Sequence, residues 1–159
     1  MAFSRTARAV LSLVVLCAVW IVAGLAQSAP EVGTWKLNVA QSKFDPGPAT
    51  KSSTVTFSTA GQGVKTVVDG IGPEGAKVHW EYTANFDGKP YPVTGNADGD
   101  MVTVKRVNAS TVEIAYTLKG KATMLVRRTL SANGKVLTIT QTGTSGQGQK
   151  MNNVLVFER

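Results

Sequence analysis

The sequence predicts an all-β protein, an antiparallel up-and-down meander that closes into a β-barrel of about ten strands. Runs of alternating residues, rich in Val, Thr, Ile, Tyr and Trp, recur between turn signals, and no helix-length amphipathic pattern interrupts them after the N-terminal apolar segment. The connections are mostly tight turns, which make consecutive strands antiparallel neighbours. Closure removes the exposed edges of a flat sheet. A two-sheet sandwich is the alternative, but sandwiches generally need longer crossover connections.

The strands follow in order from the alternating runs and the turns that end them. They are predicted at residues 35–39, 53–59, 64–70, 77–86, 90–94, 101–107, 111–118, 122–130, 135–142 and 151–158. Asp87-Gly88 is a strong hairpin signal. Pro90 and Pro92 predict an edge-like or bulged fifth strand, because proline cannot donate a backbone hydrogen bond.

Residues 40–51 break the alternation. They contain Pro46, Gly47 and Pro48, and we expect one helical turn at residues 41–44 followed by a loop. On a barrel this segment would lie over one opening, where it would act as a lid or plug. A plain connection between two strands is the alternative.

The first 26 residues predict a cleavable secretory signal peptide. Arg5 and Arg8 precede an almost wholly apolar run, and Gly24-Leu25-Ala26 offers small residues for cleavage before Gln27. The protein is therefore expected to be secreted or periplasmic, from a bacterial source, with no stable membrane span after cleavage. An uncleaved membrane anchor is the alternative.

Residues 27–159 are predicted to form a single domain, long enough for one hydrophobic core. The chain's one cysteine, Cys17, lies in the apolar run, so we expect no disulfide in the mature domain. The chain carries 17 basic and 10 acidic side chains. Because the basic residues are scattered, they predict a solvated surface and no nucleic-acid partner.

Several segments resemble one group of small barrels. Val32-Gly33-Thr34-Trp35-Lys36-Leu37 resembles the opening strand of the fatty-acid-binding proteins and their lipocalin relatives, the calycin group. Leu125-Val126-Arg127-Arg128 is similar to a late strand of the fatty-acid-binding proteins, and Phe157-Glu158-Arg159 resembles their last strand. The chain also resembles secreted bacterial lipocalin-like proteins of poorly defined function, which share the Ser42-Lys43-Phe44 phrase. The resemblance implies a ten-stranded barrel with a ligand in its lumen.

Two departures change what the resemblance implies. The fatty-acid-binding proteins insert two helices after the first strand, and residues 40–51 are too short for both. The same family holds a carboxylate with two arginines and a tyrosine. Arg127 matches the first arginine, whereas Leu155 and Phe157 stand where the other two residues would be. A carboxylate held by one arginine loses the bidentate network that fixes it, so a less polar ligand is implied.

Three aromatic residues and one arginine are candidates to line the lumen. Trp80, Tyr82 and Tyr116 would stack on a flat ligand, with plain core packing as the alternative. Arg106 shares the period-two face of the preceding valines of its strand. On an interior face Arg106 would be a buried cation in need of an anion. At the end of a strand it would reach solvent instead.

The pair Arg127-Arg128 must point to opposite faces of its strand. The resemblance places Arg127 inside as a ligand-binding residue, whereas the apolar face of Met124, Val126 and Leu130 places Arg128 inside. The residues alone leave this choice open.

Catalytic and metal-binding motifs do not stand out in the sequence, and we expect no enzymatic activity and no cofactor. The single histidine, His79, shares its face with charged residues, which favours solvent exposure over haem binding. Asn96, Asp98 and Asp100 have the alternating oxygens of a calcium loop. Met101 and Val107 then replace the required glycine and glutamate, so a hairpin turn is predicted.

The leading hypothesis is a secreted or periplasmic protein that binds a small, largely apolar ligand in the barrel lumen. Apolar side chains would supply affinity, and one arginine would orient the ligand. The alternative is a filled barrel that acts through its surface, as an envelope interaction module or a protease inhibitor. A calycin-like enzyme would need a polar cluster that converges in the lumen. The volume of the lumen separates the first two hypotheses.

Overall fold

Ten strands follow one another around a closed barrel in a computed structural model that describes residues 29–159. The strands are β1 Gly33–Leu37, β2 Ser52–Ala60, β3 Gly63–Ile71, β4 Lys77–Asn85, β5 Asp87–Thr94, β6 Met101–Asn108, β7 Thr111–Leu118, β8 Lys121–Leu130, β9 Val136–Thr144 and β10 Lys150–Glu158. Each is antiparallel to the next, and β1 closes against β10. The predicted all-β meander barrel is confirmed. The predicted signal peptide, residues 1–26, lies outside the described residues.

The strand pairing is uneven around the barrel. All nine residues of β10 pair with β9, whereas β4 and β5 pair only through Glu81–Thr94 and Tyr82–Val93. The register between β5 and β6 shifts between Asp87 and Pro90. Because prolines remove donors from β5, they explain both its short pairing and its irregular register. The predicted bulged strand is therefore confirmed.

The two ends of the barrel differ in construction. We call the base the end at which β2–β3, β4–β5, β6–β7 and β8–β9 are joined, and the mouth the opposite end. At the base Trp35 is fully buried. Its Nε1 donates to the carbonyl of Glu31 at 2.8 Å, and the guanidinium of Arg159 lies 4.4 Å from the ring centroid. These contacts close the base around an aromatic side chain.

The segment between β1 and β2 runs along β10 and then over the mouth. Its 3-10 helix spans Val39–Gln41, earlier than the predicted turn at residues 41–44. The turn ends early because Ser42 Oγ accepts from the backbone N–H of Val156 at 2.9 Å and Lys43 forms an antiparallel bridge with Val154. Beyond this bridge the segment contributes to the wall of the lumen, as expected for a lid. Within residues 29–159, no helix has the length and apolar character needed to cross a membrane.

Candidate functional site: a cavity in the barrel lumen

The lumen contains a cavity of about 320 Å³. This volume lies at the lower end of the range for small-molecule pockets and equals that of roughly ten water molecules. Its apolar wall comes from strands on all sides of the barrel: Val55, Phe57, Val68, Ile114, Met124, Ile139, Leu155 and Phe157. Phe44, Pro46 and Pro48 of the lid complete the wall. The lumen is therefore not filled by its own side chains.

Three aromatic rings form one side of the cavity. Trp80 and Tyr82 lie two residues apart on β4 and therefore share its inner face, with ring centroids 6.2 Å apart. Tyr116 of β7 meets both rings edge-on, at 6.3 Å from Trp80 and 6.4 Å from Tyr82. The structure thus brings together the three predicted aromatic residues. They pack on one another, as the core-packing alternative requires, and they also line the cavity.

The hydroxyl group of Tyr116 lies in a dry environment. Burial raises the pKa of Tyr116 well above its ordinary value, because the phenolate would lose its hydration. The neighbouring Tyr82 raises this pKa further, and Arg128 acts in the opposite direction. Tyr116 is therefore a neutral phenol at physiological pH, able to donate and accept hydrogen bonds.

Arg128, and not Arg127, faces the lumen. Arg128 is 3% exposed, lines the cavity, and lies with its guanidinium 4.3 Å from the centroid of Phe57. Arg127 lies on the outer face, where its side chain is 54% exposed and Nη1 donates to Glu113 Oε1 at 3.3 Å. The inward position that the resemblance implied for Arg127 is wrong, because alternation along β8 turns neighbouring side chains to opposite faces and Arg128 occupies the inner one.

Arg106 lies on the inner face of β6, and the anion that pairs with it is the carboxylate of Glu31. Arg106 Nη2 donates to Glu31 Oε1 at 3.3 Å, and Arg128 Nη2 donates to the same oxygen at 2.9 Å. The Arg106 guanidinium lies 4.0 Å from the ring centroid of Phe86. Its Nε is buried with no partner among the described residues. Arg106 does not line the cavity, so its predicted ligand-binding role has no support from its position.

Glu31 is the residue that the sequence pattern missed. It precedes β1 and belongs to no alternating run, so its burial had no periodic signal. The one available sign was chemical, because two arginines on inner faces require a carboxylate. Glu31 supplies it from the segment that also receives the Trp35 hydrogen bond.

Polar side chains line the mouth side of the cavity. Asn153 Nδ2 donates to Gln141 Oε1 at 3.1 Å, and Asn153 Oδ1 accepts from the backbone N–H of Asp45 in the lid at 2.8 Å. Asp98 Oδ1 accepts from the backbone N–H of Gly146 at 2.9 Å. Asn96 and Asp98 also line the cavity. The mouth therefore offers neutral hydrogen-bonding groups and one carboxylate.

The motifs considered for metal or haem binding have local roles. Asn96 Oδ1 accepts from the backbone N–H of Asp98 at 2.8 Å within the β5–β6 connection, as the predicted hairpin turn requires. His79 is exposed, as predicted, with Nδ1 2.7 Å from Asp69 Oδ1. Within residues 29–159, no group of three or more His, Cys, Asp or Glu side chains is placed to hold a metal ion.

Comparison with known proteins assigns no relative, since no protein-family model and no curated protein matches this chain. The cavity and its lining therefore carry the functional proposal.

Proposed function

We propose that this protein binds a small, largely apolar ligand in the barrel lumen, as a secreted or periplasmic carrier or receptor. The observation that carries the proposal is the cavity of about 320 Å³ with mainly apolar walls and a lid segment across its mouth. Burial of apolar surface contributes roughly 25 cal/mol per Å². For a ligand that fills the cavity, this burial is the gain that opposes its loss of translational freedom.

The walls suggest how the ligand is held. Aliphatic side chains of β2, β7, β8, β9 and β10 would contact its apolar body. The ring faces of Trp80 and Tyr82 would support a flat or chain-like group on one side. The Asn153–Gln141 amides at the mouth would meet a polar group of the ligand.

The proposed function is ligand binding alone, without a catalysed reaction. The titratable groups at the cavity are engaged in structural roles: Arg128 pairs with Glu31, and Asp98 accepts a backbone hydrogen bond. Tyr116 has its pKa raised away from neutrality, which is the wrong direction for a general base at physiological pH. The resemblance to the calycin group supports a lumenal binding role, and membership of that group is part of the proposal.

Binding of naphthalene, an uncharged apolar fluorescent dye small enough for the cavity, tests the proposal. Saturable binding with one site per chain is expected for the exported protein. Ile139→Trp fills the cavity from β9 and should abolish dye binding, while Leu125→Trp adds the same side chain on the exposed outer face and should leave it unchanged. Native mass spectrometry of protein purified from its own host should also show a co-purifying small molecule. A folded protein that takes up neither dye nor host ligand would refute the proposal.

A further inference from the structure

The positive charge that faces the cavity is concentrated on one side chain. Arg128 is the buried cation among the described residues that line the cavity. In a medium of low dielectric, a guanidinium without a counterion attracts any anion that enters. Arg128 alone would therefore make this cavity a site for anionic ligands.

Glu31 removes that preference. Its Oε1 lies 2.9 Å from Arg128 Nη2, and the carboxylate is almost fully buried. The segment that carries Glu31 is held by two further contacts, from Trp35 Nε1 to the Glu31 carbonyl at 2.8 Å and from Arg159 Nη1 to the Val32 carbonyl at 3.0 Å. The carboxylate is thus held in the base by its own ion pairs and by the anchored backbone of its segment.

Two other charges near the lumen bear on this preference. Arg106 adds a positive charge to the cluster, but it lies against Phe86 and outside the cavity wall. At the mouth, Asp98 places a carboxylate in the wall, which would repel an anionic head group there. The one arginine that faces the cavity is therefore paired with a carboxylate, and the mouth carries a negative charge.

We infer that Glu31 determines ligand specificity by making the cavity select uncharged ligands over anionic ones. The inference rests on the proposed function and names its ligand class. The ligand is a neutral amphiphile with an apolar body and a hydroxyl, carbonyl or amide group. The tyrosine hydroxyls and the Asn153–Gln141 amides are the groups that meet this polar end. A body of on the order of ten non-hydrogen atoms matches the volume of the cavity.

Octan-1-ol and octanoate test this inference, because they share a chain and differ in charge. Their affinities are measured by displacement of naphthalene, at a pH well above the pKa of octanoic acid. The wild-type protein should bind octan-1-ol about tenfold or more tightly than octanoate. Glu31→Gln should raise the affinity for octanoate about tenfold and change that for octan-1-ol by less than about twofold.

Glu113→Gln is the matched control. It removes a carboxylate from an Arg–Glu pair of the same separation as Arg106–Glu31, but on the outer face, and should leave both affinities unchanged. A double variant, Glu31→Gln with Arg128→Met, removes both charges at once and keeps the inference testable where Glu31→Gln alone does not fold. It should bind octan-1-ol and show no gain for octanoate.

The outcomes separate the two proposals. A wild-type protein that binds neither octan-1-ol nor naphthalene refutes the proposed function itself. Wild-type binding of octanoate as tight as that of octan-1-ol overturns the role of Glu31 alone. That role is also overturned when Glu31→Gln and Glu113→Gln have equal ratios of the two affinities, or when the double variant gains octanoate affinity.

Discussion

The base of this barrel is held by buried side chains, whereas the segment over its mouth is held mainly by backbone hydrogen bonds. At the base, Trp35 is fully buried and two arginines share the carboxylate of Glu31. At the mouth, a proline-containing lid lies along β10 and is joined to it by backbone hydrogen bonds and by the Asn153 side chain. The base is therefore closed by buried side chains, whereas the mouth is covered by a segment held mainly through its backbone. Substitutions at one end should have effects that the same kind of substitution at the other end does not.

The largest expected difference lies between two tryptophans. Trp35→Ala removes a ring packed on all sides at the base and should lower the free energy of unfolding by about 3–5 kcal/mol. Trp80→Ala at the cavity wall should cost about half of that, because this half-buried ring borders a space that is already empty. Urea midpoints of the two variants measure the difference. A larger loss for Trp80→Ala would contradict the division between base and mouth.

The second prediction concerns the two arginines that follow each other in β8. Arg128→Met removes one of the two buried hydrogen bonds to the Glu31 carboxylate, which keeps Arg106 as its partner, and should cost about 1.5–3 kcal/mol. Arg127→Met breaks an exposed pair with Glu113 and should cost about 0–1 kcal/mol. Chemical unfolding of both variants provides the comparison. Equal losses would mean that the Glu31 cluster contributes no more than a surface ion pair.

The two arginines also show how far sequence reasoning reaches. Alternation along each run predicts strand positions close to those observed, because one face of each strand must be apolar. The choice between Arg127 and Arg128 is different, since a single-residue slip exchanges the two faces. The register between β7 and β8 does shift, between Tyr116 and Thr117. Both arginines lie on the same side of that irregularity, in the part of β8 where Met124, Val126 and Arg128 share the inner face.

Alternation predicts the aromatic residues of the candidate site but not its buried carboxylate. The inner face of Trp80, Tyr82 and Tyr116 follows from alternation, and the structure places all three at the cavity. Glu31 reaches Arg128 over a separation of 97 residues in the chain. No local pattern encodes such a contact. The size of the cavity is likewise a small difference between the volume of the barrel and the volume of its side chains, which periodicity does not report.

The third prediction is confined to alkaline pH. Because burial raises the pKa of Tyr116 above the ordinary value of 10.0, the folded protein resists its ionisation. The stabilising contribution is complete below that ordinary value and is lost as the pH rises from it toward the folded pKa. Tyr116→Phe should therefore unfold at a higher pH than the wild-type protein. Far-UV circular dichroism during alkaline titration measures the midpoint, and an unchanged midpoint would argue against a buried, neutral phenol.

The smallest effect on stability, and the sharpest test of the mouth, is expected for Phe44→Ala in the lid. Phe44 contacts the cavity, while the lid backbone is held by its bridge to β10, so removal of the ring should cost less than about 1 kcal/mol. The dissociation rate of a bound dye should nevertheless rise by roughly tenfold, because the ring blocks the exit path.

Val39→Ala is the control, since Val39 belongs to the same segment but lies outside the cavity wall. Stopped-flow release of naphthalene measures both rates. Equal rates for the two variants would show that ligands leave by another route, and the sparsely paired seam between β4 and β5 would then become the candidate exit.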